Sequence, residues 1–123
     1  MSRNYEHLKI WEKSVDLSVI VYSLTRSFPK EEMYGLTSQI RRAVVSISCN
    51  IAEGAGRNSK QEFIRFINIA LGSLNEVESL LLVSRKLEYS TELKYKEIKE
   101  KLEELGGLIG GFRKYLSGLG VNK

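Results

Sequence analysis

Between Tyr95 and Leu119 one apolar series holds its spacing without a fault: Tyr95, Ile98, Leu102, Leu105, Ile109, Phe112, Leu116 and Leu119. Steps of three and four place all eight on one line of a helix, so the chain must find other apolar helical surface to lay that line against. Lys94, Lys96, Glu97, Lys99, Glu100, Lys101, Glu103 and Glu104 fill the opposite side as a solvated back. Gly106, Gly107, Gly110 and Gly111 interrupt the pattern, each unfavourable by about 1 kcal/mol relative to alanine in a helix. Because the seam crosses them unbroken, a helix is expected over 91–117. The glycines then form either a flat strip that admits another backbone or a frayed last few turns.

Three more helices are expected upstream. Phe63, Ile67, Ala70, Leu74, Val77, Leu81 and Ser84 form a second seam, and Ser59 with Glu62 three residues later reads as a capping box. That helix is expected over 59–89. It carries surplus apolar flanks, Ile64, Leu71 and Leu82 on one side and Ile69, Leu80 and Leu87 on the other. A first helix over 8–28 shows two adjacent stripes, Leu8, Trp11, Val15, Val19, Tyr22 and Ile10, Leu17, Val21, Leu24, Phe28, and stops at Pro29. A second helix over 36–55 puts Leu36, Ile40, Ala43, Val44, Ile47 and Ile51 on one face. Ser38, Arg42, Val45, Cys49 and Glu53 lie opposite, with Arg41 at the flank. Gly54 and Gly56 are expected to supply the sharp exit common at helix C-termini.

No strand pattern competes, so the fold class is all-α, a single domain over 1–123 packed as an antiparallel up-down-up-down four-helix bundle. At 123 residues the chain can bury a core without staples. A single four-helix core cannot cover the surplus flanks, which implies a homo-oligomer. The lone Cys49, the absence of an apolar leader and the absence of a run read as membrane-length set the expectation of a soluble, cytoplasmic protein with no membrane association.

Charge is unevenly spread. Residues 36–75 hold five bases, Arg41, Arg42, Arg57, Lys60 and Arg65, against two acids, whereas residues 76–110 hold six bases against eight acids. The five bases are the candidate nucleic-acid-binding residues, with an ordinary solvated or ion-paired surface as the competing reading. Adjacent helix positions diverge by about 100°, so Arg41 and Arg42 cannot both face one partner directly. Trp11, Tyr22, Phe63 and Phe66 fall on stripes expected to be buried, which leaves Tyr5, Tyr34 and Tyr89 as exposed aromatics.

Other chemistry is hard to assemble. His7 is the one histidine, so a Glu-x-x-His metal pair on facing helices cannot form. Cys49 has no histidine partner and reads as packing, and Gly54-Ala55-Gly56 lacks the strand and Lys-Ser/Thr ending of a phosphate loop. Neither catalytic residues nor cofactor or metal sites are expected. Asn50 and Glu53 read as structural, bonding loop backbone and facing the N-terminus of the third helix respectively.

Taken together, Leu8-Lys9-Ile10-Trp11, Phe28-Pro29-Lys30-Glu31-Glu32, Tyr34 to Arg42, Ser46-Ile47, Asn50-Ile51-Ala52-Glu53-Gly54 and Ser59-Lys60-Gln61-Glu62-Phe63 are specific. In these the chain resembles the four-helix-bundle family encoded in intervening sequences of bacterial 23S ribosomal RNA genes. Ser48 stands where that family often has proline. The resemblance implies an antiparallel bundle and, from relatives in the superfamily, a pentamer. A similar accessory protein of diversity-generating retroelements works with nucleic acid through a basic surface, which implies association with RNA or DNA and points to Arg41, Arg42 and Arg57 within or beside the matched segment. The competing expectation is a scaffold that recruits a polypeptide partner and has no nucleic-acid role.

Overall fold

The computed structural model describes residue 5 and residues 8–120, the last two as backbone only, so His7 and the Leu119 side chain lie outside the described residues. Four long helices account for most of it: α1 Lys9–Thr25, α2 Leu36–Ala55, α3 Lys60–Lys86 and α4 Glu92–Gly120, with a short 3-10 helix at Lys30–Glu32. The described residues contain no strand.

The helix ends follow from local bonding. α1 stops three residues short of the expected Phe28, where the Thr25 hydroxyl turns back to the Val21 and Tyr22 carbonyls (2.9 and 3.2 Å) and the Ser27 hydroxyl to Leu24 O. Phe28 still reaches the core, its ring 5.4 Å from that of Tyr89. α2 begins at Gly35 without a hydroxyl cap; Glu32 Oε1 accepts from Leu36 N (3.0 Å) instead. Tyr89 donates its phenol proton to the other oxygen of Glu32 (3.0 Å), which ties the α3–α4 turn to the start of α2 and raises the phenol pKa.

At the start of α3, Ser59 Oγ accepts from Glu62 N (3.0 Å) as the capping box requires. The Glu62 carboxylate is turned to Arg65 (3.2 Å). At the C-terminus of α3, Tyr89 N bonds to Ser84 O and Glu88 N to Arg85 O. Glu88 takes the left-handed φ of 65° that this paired closure needs. α4 runs unbroken through all its glycines to Gly120.

The core is the second α1 stripe (Ile10, Leu17, Val21, Leu24, Phe28) together with the expected faces of α2, α3 and α4. The first α1 stripe is flank: Trp11 and Val15 are half-buried, and Val19 is 65% exposed. α1 packs on α2 and α4, and α3 on α2 and α4, whereas the two diagonal pairs bring no Cα atoms within 8 Å. The α2–α3 seam is the most extensive, tightened by small residues such as Ala43, Ala70 and the hydroxyl pair Ser46–Ser73 (2.8 Å). The α1–α4 seam is the sparsest, and it leaves a solvent-open cleft of about 90 Å³ beside the Lys13–Glu104 ion pair (3.5 Å).

Several sequence expectations need correction. α2 ends at Ala55 with Gly56 at its C-cap, and no glycine among the described residues has a positive φ, so the exit is made without a left-handed residue. Gly54 is required for a different reason. A Cβ there would lie 2.8 Å from Phe66 Cβ and 2.9 Å from Phe63 Cδ1, so its bare backbone is what lets the end of α2 press on the start of α3. Cys49 is exposed and does not pack.

Asn50 bonds within its own helix, to Ser46 O and Oγ (both 2.8 Å), and not to the loop. An 18-residue stretch of α3 does have the length and apolar composition of a membrane span. Its Phe66, Ile67, Ala70, Leu74, Val77 and Leu81 side is core, yet only 33% of the stretch is buried.

Candidate nucleic-acid interface

The five sequence candidates do not form one patch. Arg41 and Arg42 lie in the first half of α2, while Arg57, Lys60 and Arg65 surround the α2–α3 turn. At 1.5 Å rise per residue the two groups are roughly 20 Å apart along α2.

Arg41 is fastened to α1. Its Nε donates to Thr25 Oγ1 (2.7 Å), an Nη donates to Tyr22 O (3.4 Å), and the guanidinium lies 4.5 Å over the Tyr22 ring. Tyr22, expected in the core, is 39% exposed and serves as the platform for that cation. Arg42 is exposed and has no ion pair among the described residues. It lines two shallow depressions on either side of Tyr34, whose side chain is 97% exposed.

At the other end, Gly54 brings Phe66 beneath the turn, and two guanidiniums stack on that one ring. Arg57 Cζ is 4.9 Å and Arg65 Cζ 4.5 Å from its centre. Each is held by an acid of its own helix or turn: Arg57 by Glu53 (2.7 Å) and Arg65 by both oxygens of Glu62 (3.3 and 3.2 Å). Glu53 therefore faces Arg57, in the turn that leads into α3. The Arg65 hydrogen bond is the chief cause holding the Glu62 carboxyl below its ordinary pKa, with the fields of Arg65 and Arg57 adding to it. Lys60 is exposed in the first turn of α3, at the positive end of a 27-residue helix.

Arg113 completes this end and was missed from sequence. It donates to Asn68 Oδ1 (2.9 Å), a neutral acceptor one turn beyond Arg65, and it has no ion pair among the described residues. Phe112 beside it meets Phe63 edge-on, ring centres 5.4 Å apart, which fixes where α4 crosses α3. The signal was available: residues 105–120 contain Arg113 and Lys114 and no acid.

Among the aromatics, Phe66 is buried and Trp11 and Phe63 half-buried. Of those expected to be exposed, only Tyr34 is fully so; Tyr5 packs edge-on against Trp11, and Tyr89 is half-buried. Tyr115, not anticipated, is 59% exposed. Among the described residues no three His, Cys, Asp or Glu side chains converge as a metal site.

No curated protein matches this chain. A solved structure from Bacteroides thetaiotaomicron, a protein of unknown function from the S23 ribosomal protein family, is similar to it. That structure aligns at a TM-score of 0.79 and 30% identity over 85% of this chain and 95% of that one. The model of the 23S rRNA-intervening sequence protein family matches residues 6–111, which include both ends of α2, the Gly54 contact and the stacked arginines. On that match and that likeness, the chain belongs to the 23S rRNA-intervening sequence protein family.

Proposed function

We propose that this protein is a non-enzymatic, cytoplasmic homo-oligomer of antiparallel bundles that associates with the phosphate backbone of RNA or DNA through a basic surface repeated by symmetry. The observation that carries the reading is the placement of Arg57, Arg65 and Arg113 at one end of the bundle, where Arg113 has only a neutral partner among the described residues. The family's description, which refers to intervening sequences of 23S rRNA, supports an RNA setting. Antiparallel packing is supported by the start of α3 meeting the last third of α4 at Phe63–Phe112, and by the end of α1 meeting the first half of α2 at Thr25–Arg41.

Self-association is supported by what a lone subunit leaves uncovered. On α3 and its C-cap, Ile69, Leu82, Val83 and Leu87 are 40–50% exposed, and two-thirds of the helix's membrane-length apolar stretch is unburied. Asn68, Asn75, Glu76 and Glu78 punctuate that stretch, which suits a protein neighbour better than lipid. A pentamer is the assembly that the family resemblance favours. Repetition raises avidity without strong single sites.

The test pairs native mass with a salt-titrated RNA binding assay. The expected result is an oligomer whose RNA affinity falls steeply with salt. A monomer with no RNA affinity at low salt overturns the proposal. The exposed pair Tyr34 and Met33, 97% and 49% accessible, favours the second reading, a scaffold that captures a polypeptide. Capture of a purified neighbouring gene product that survives high salt, with no RNA shift, would establish that alternative.

A further inference from the structure

We infer that Arg57, Phe66 and Arg65 form a phosphodiester clamp that is latched shut by Glu53 and Glu62 in the free protein, an inference that rests on the nucleic-acid reading above. The two guanidiniums lie against one ring, 4.9 and 4.5 Å from its centre, so Phe66 carries both and fixes their orientation before any ligand arrives. Planar guanidiniums held in this way lose little freedom on meeting a phosphate, and their N–H edges match its oxygens in pairs. Gly54 is the positioning residue, because any side chain there would drive Phe66 away from the turn that carries Arg57.

In the free protein those N–H edges are taken by carboxylates, and the geometry makes the exchange easy. Both ion pairs are solvent-facing, with side chains 44% and 53% exposed in one and 55% and 43% in the other. Exposed pairs of this kind contribute little to stability, so a phosphate oxygen can take the place of a carboxylate oxygen at small cost. Arg113 and the positive end of α3 bias the site toward an anion. No bond is made or broken covalently; two guanidiniums change acceptors and the released carboxylates return to water. Arg41 differs, because its donors serve the α1–α2 contact and have no acid to exchange.

The latch makes an unusual prediction: neutralising the acids should tighten binding beyond what added positive charge does elsewhere. With a fluorescent mixed-sequence RNA of about 16 nucleotides, Arg57→Ala with Arg65→Ala should weaken affinity about tenfold and lower the salt slope by about 2, roughly one for each phosphate no longer neutralised. Glu53→Gln with Glu62→Gln should raise affinity several-fold more than Glu100→Gln with Glu103→Gln, which changes net charge equally on the back of α4 at two exposed acids. Arg57→Lys with Arg65→Lys keeps the charge, loses the planar fork, and should fall between wild type and the alanine variant. Circular dichroism and native mass, unchanged in each, show that the assembly is intact.

If wild type binds RNA but the alanine pair binds equally well, or the two glutamine pairs behave alike, the clamp is overturned while the nucleic-acid reading stands. If wild type binds no RNA, both fall. Inorganic phosphate should compete better than chloride at matched ionic strength, and equal competition by polyglutamate would overturn the phosphate assignment.

Discussion

The two ends of α2 use the same device, an arginine laid on an aromatic ring, to opposite effect. At Arg41 the guanidinium bonds to a hydroxyl and a carbonyl of α1 and closes a helix-to-helix contact. At Arg57 and Arg65 the guanidiniums bond to exposed carboxylates near them in sequence and, among the described residues, join no distant element except through the shared ring. Net charge cannot distinguish these cases; the acceptor does. A guanidinium committed to a buried hydroxyl and a carbonyl of another helix is part of the fold, whereas one parked on an exposed carboxylate is available for exchange.

The largest expected effect comes from breaking the second end at its base. Gly54→Ala puts a methyl 2.8 Å from Phe66 Cβ and 3.3 Å from the Phe63 carbonyl, neither of which can yield without moving α3. Overpacking of this kind should lower unfolding stability by about 2–3 kcal/mol, measured by denaturant titration. Next comes Arg41→Ala, which removes a 2.7 Å charge-assisted bond to buried Thr25 and should lower stability by about 1–2 kcal/mol. Gly107→Ala should act in the other direction. Nothing lies within 4 Å of its added methyl, so stability should rise by up to about 1 kcal/mol. Arg57→Ala should change stability by less than about 0.5 kcal/mol. If Arg57→Ala proved as damaging as Arg41→Ala, the contrast between the ends would fail.

What the sequence made legible follows the same division. Spacing within one helix was readable, so Ile67 to Leu81 of the α3 seam, Ile98, Leu102, Leu105, Ile109 and Leu116 of the α4 seam and the Ile40, Ile47, Ile51 face of α2 are buried as expected, with Phe63, Tyr95 and Phe112 half-buried beside them. The Ser59 cap is likewise local. Contacts between helices were not readable. Nothing about Gly54 in isolation reveals that Phe63 and Phe66 will arrive within 3 Å of its missing side chain, and its proximity to a helix end suggested only a role in the chain's exit. Tyr22 could be placed on a stripe but not on the correct side of it, because α1 carries two apolar stripes and only packing decides between them. Of the candidate site, the positions Arg57 and Arg65 were legible from charge counting, but their shared ring, their acids and the arrival of Arg113 from α4 depend on tertiary approach.

The smallest effect isolates one half of the latch. Arg65 and, more weakly, Arg57 hold the Glu62 carboxyl below its ordinary value, so its titration midpoint, read by carboxyl-carbon NMR, should lie under that of an unpaired glutamate. Arg65→Ala should bring it up toward the ordinary value, while Arg41→Ala at the far end of α2 should leave it unmoved. The sign follows from the folded form binding its proton more weakly than the unfolded chain does. The pair's contribution is therefore fully present above the unfolded pKa and is lost as pH falls through the folded one. RNA affinity should move oppositely over that acidic window, rising as the carboxylate protonates and frees Arg65. The Glu62→Gln variant, already unlatched there, should show a smaller rise than wild type, and the difference separates competition at this pair from a general gain of positive charge.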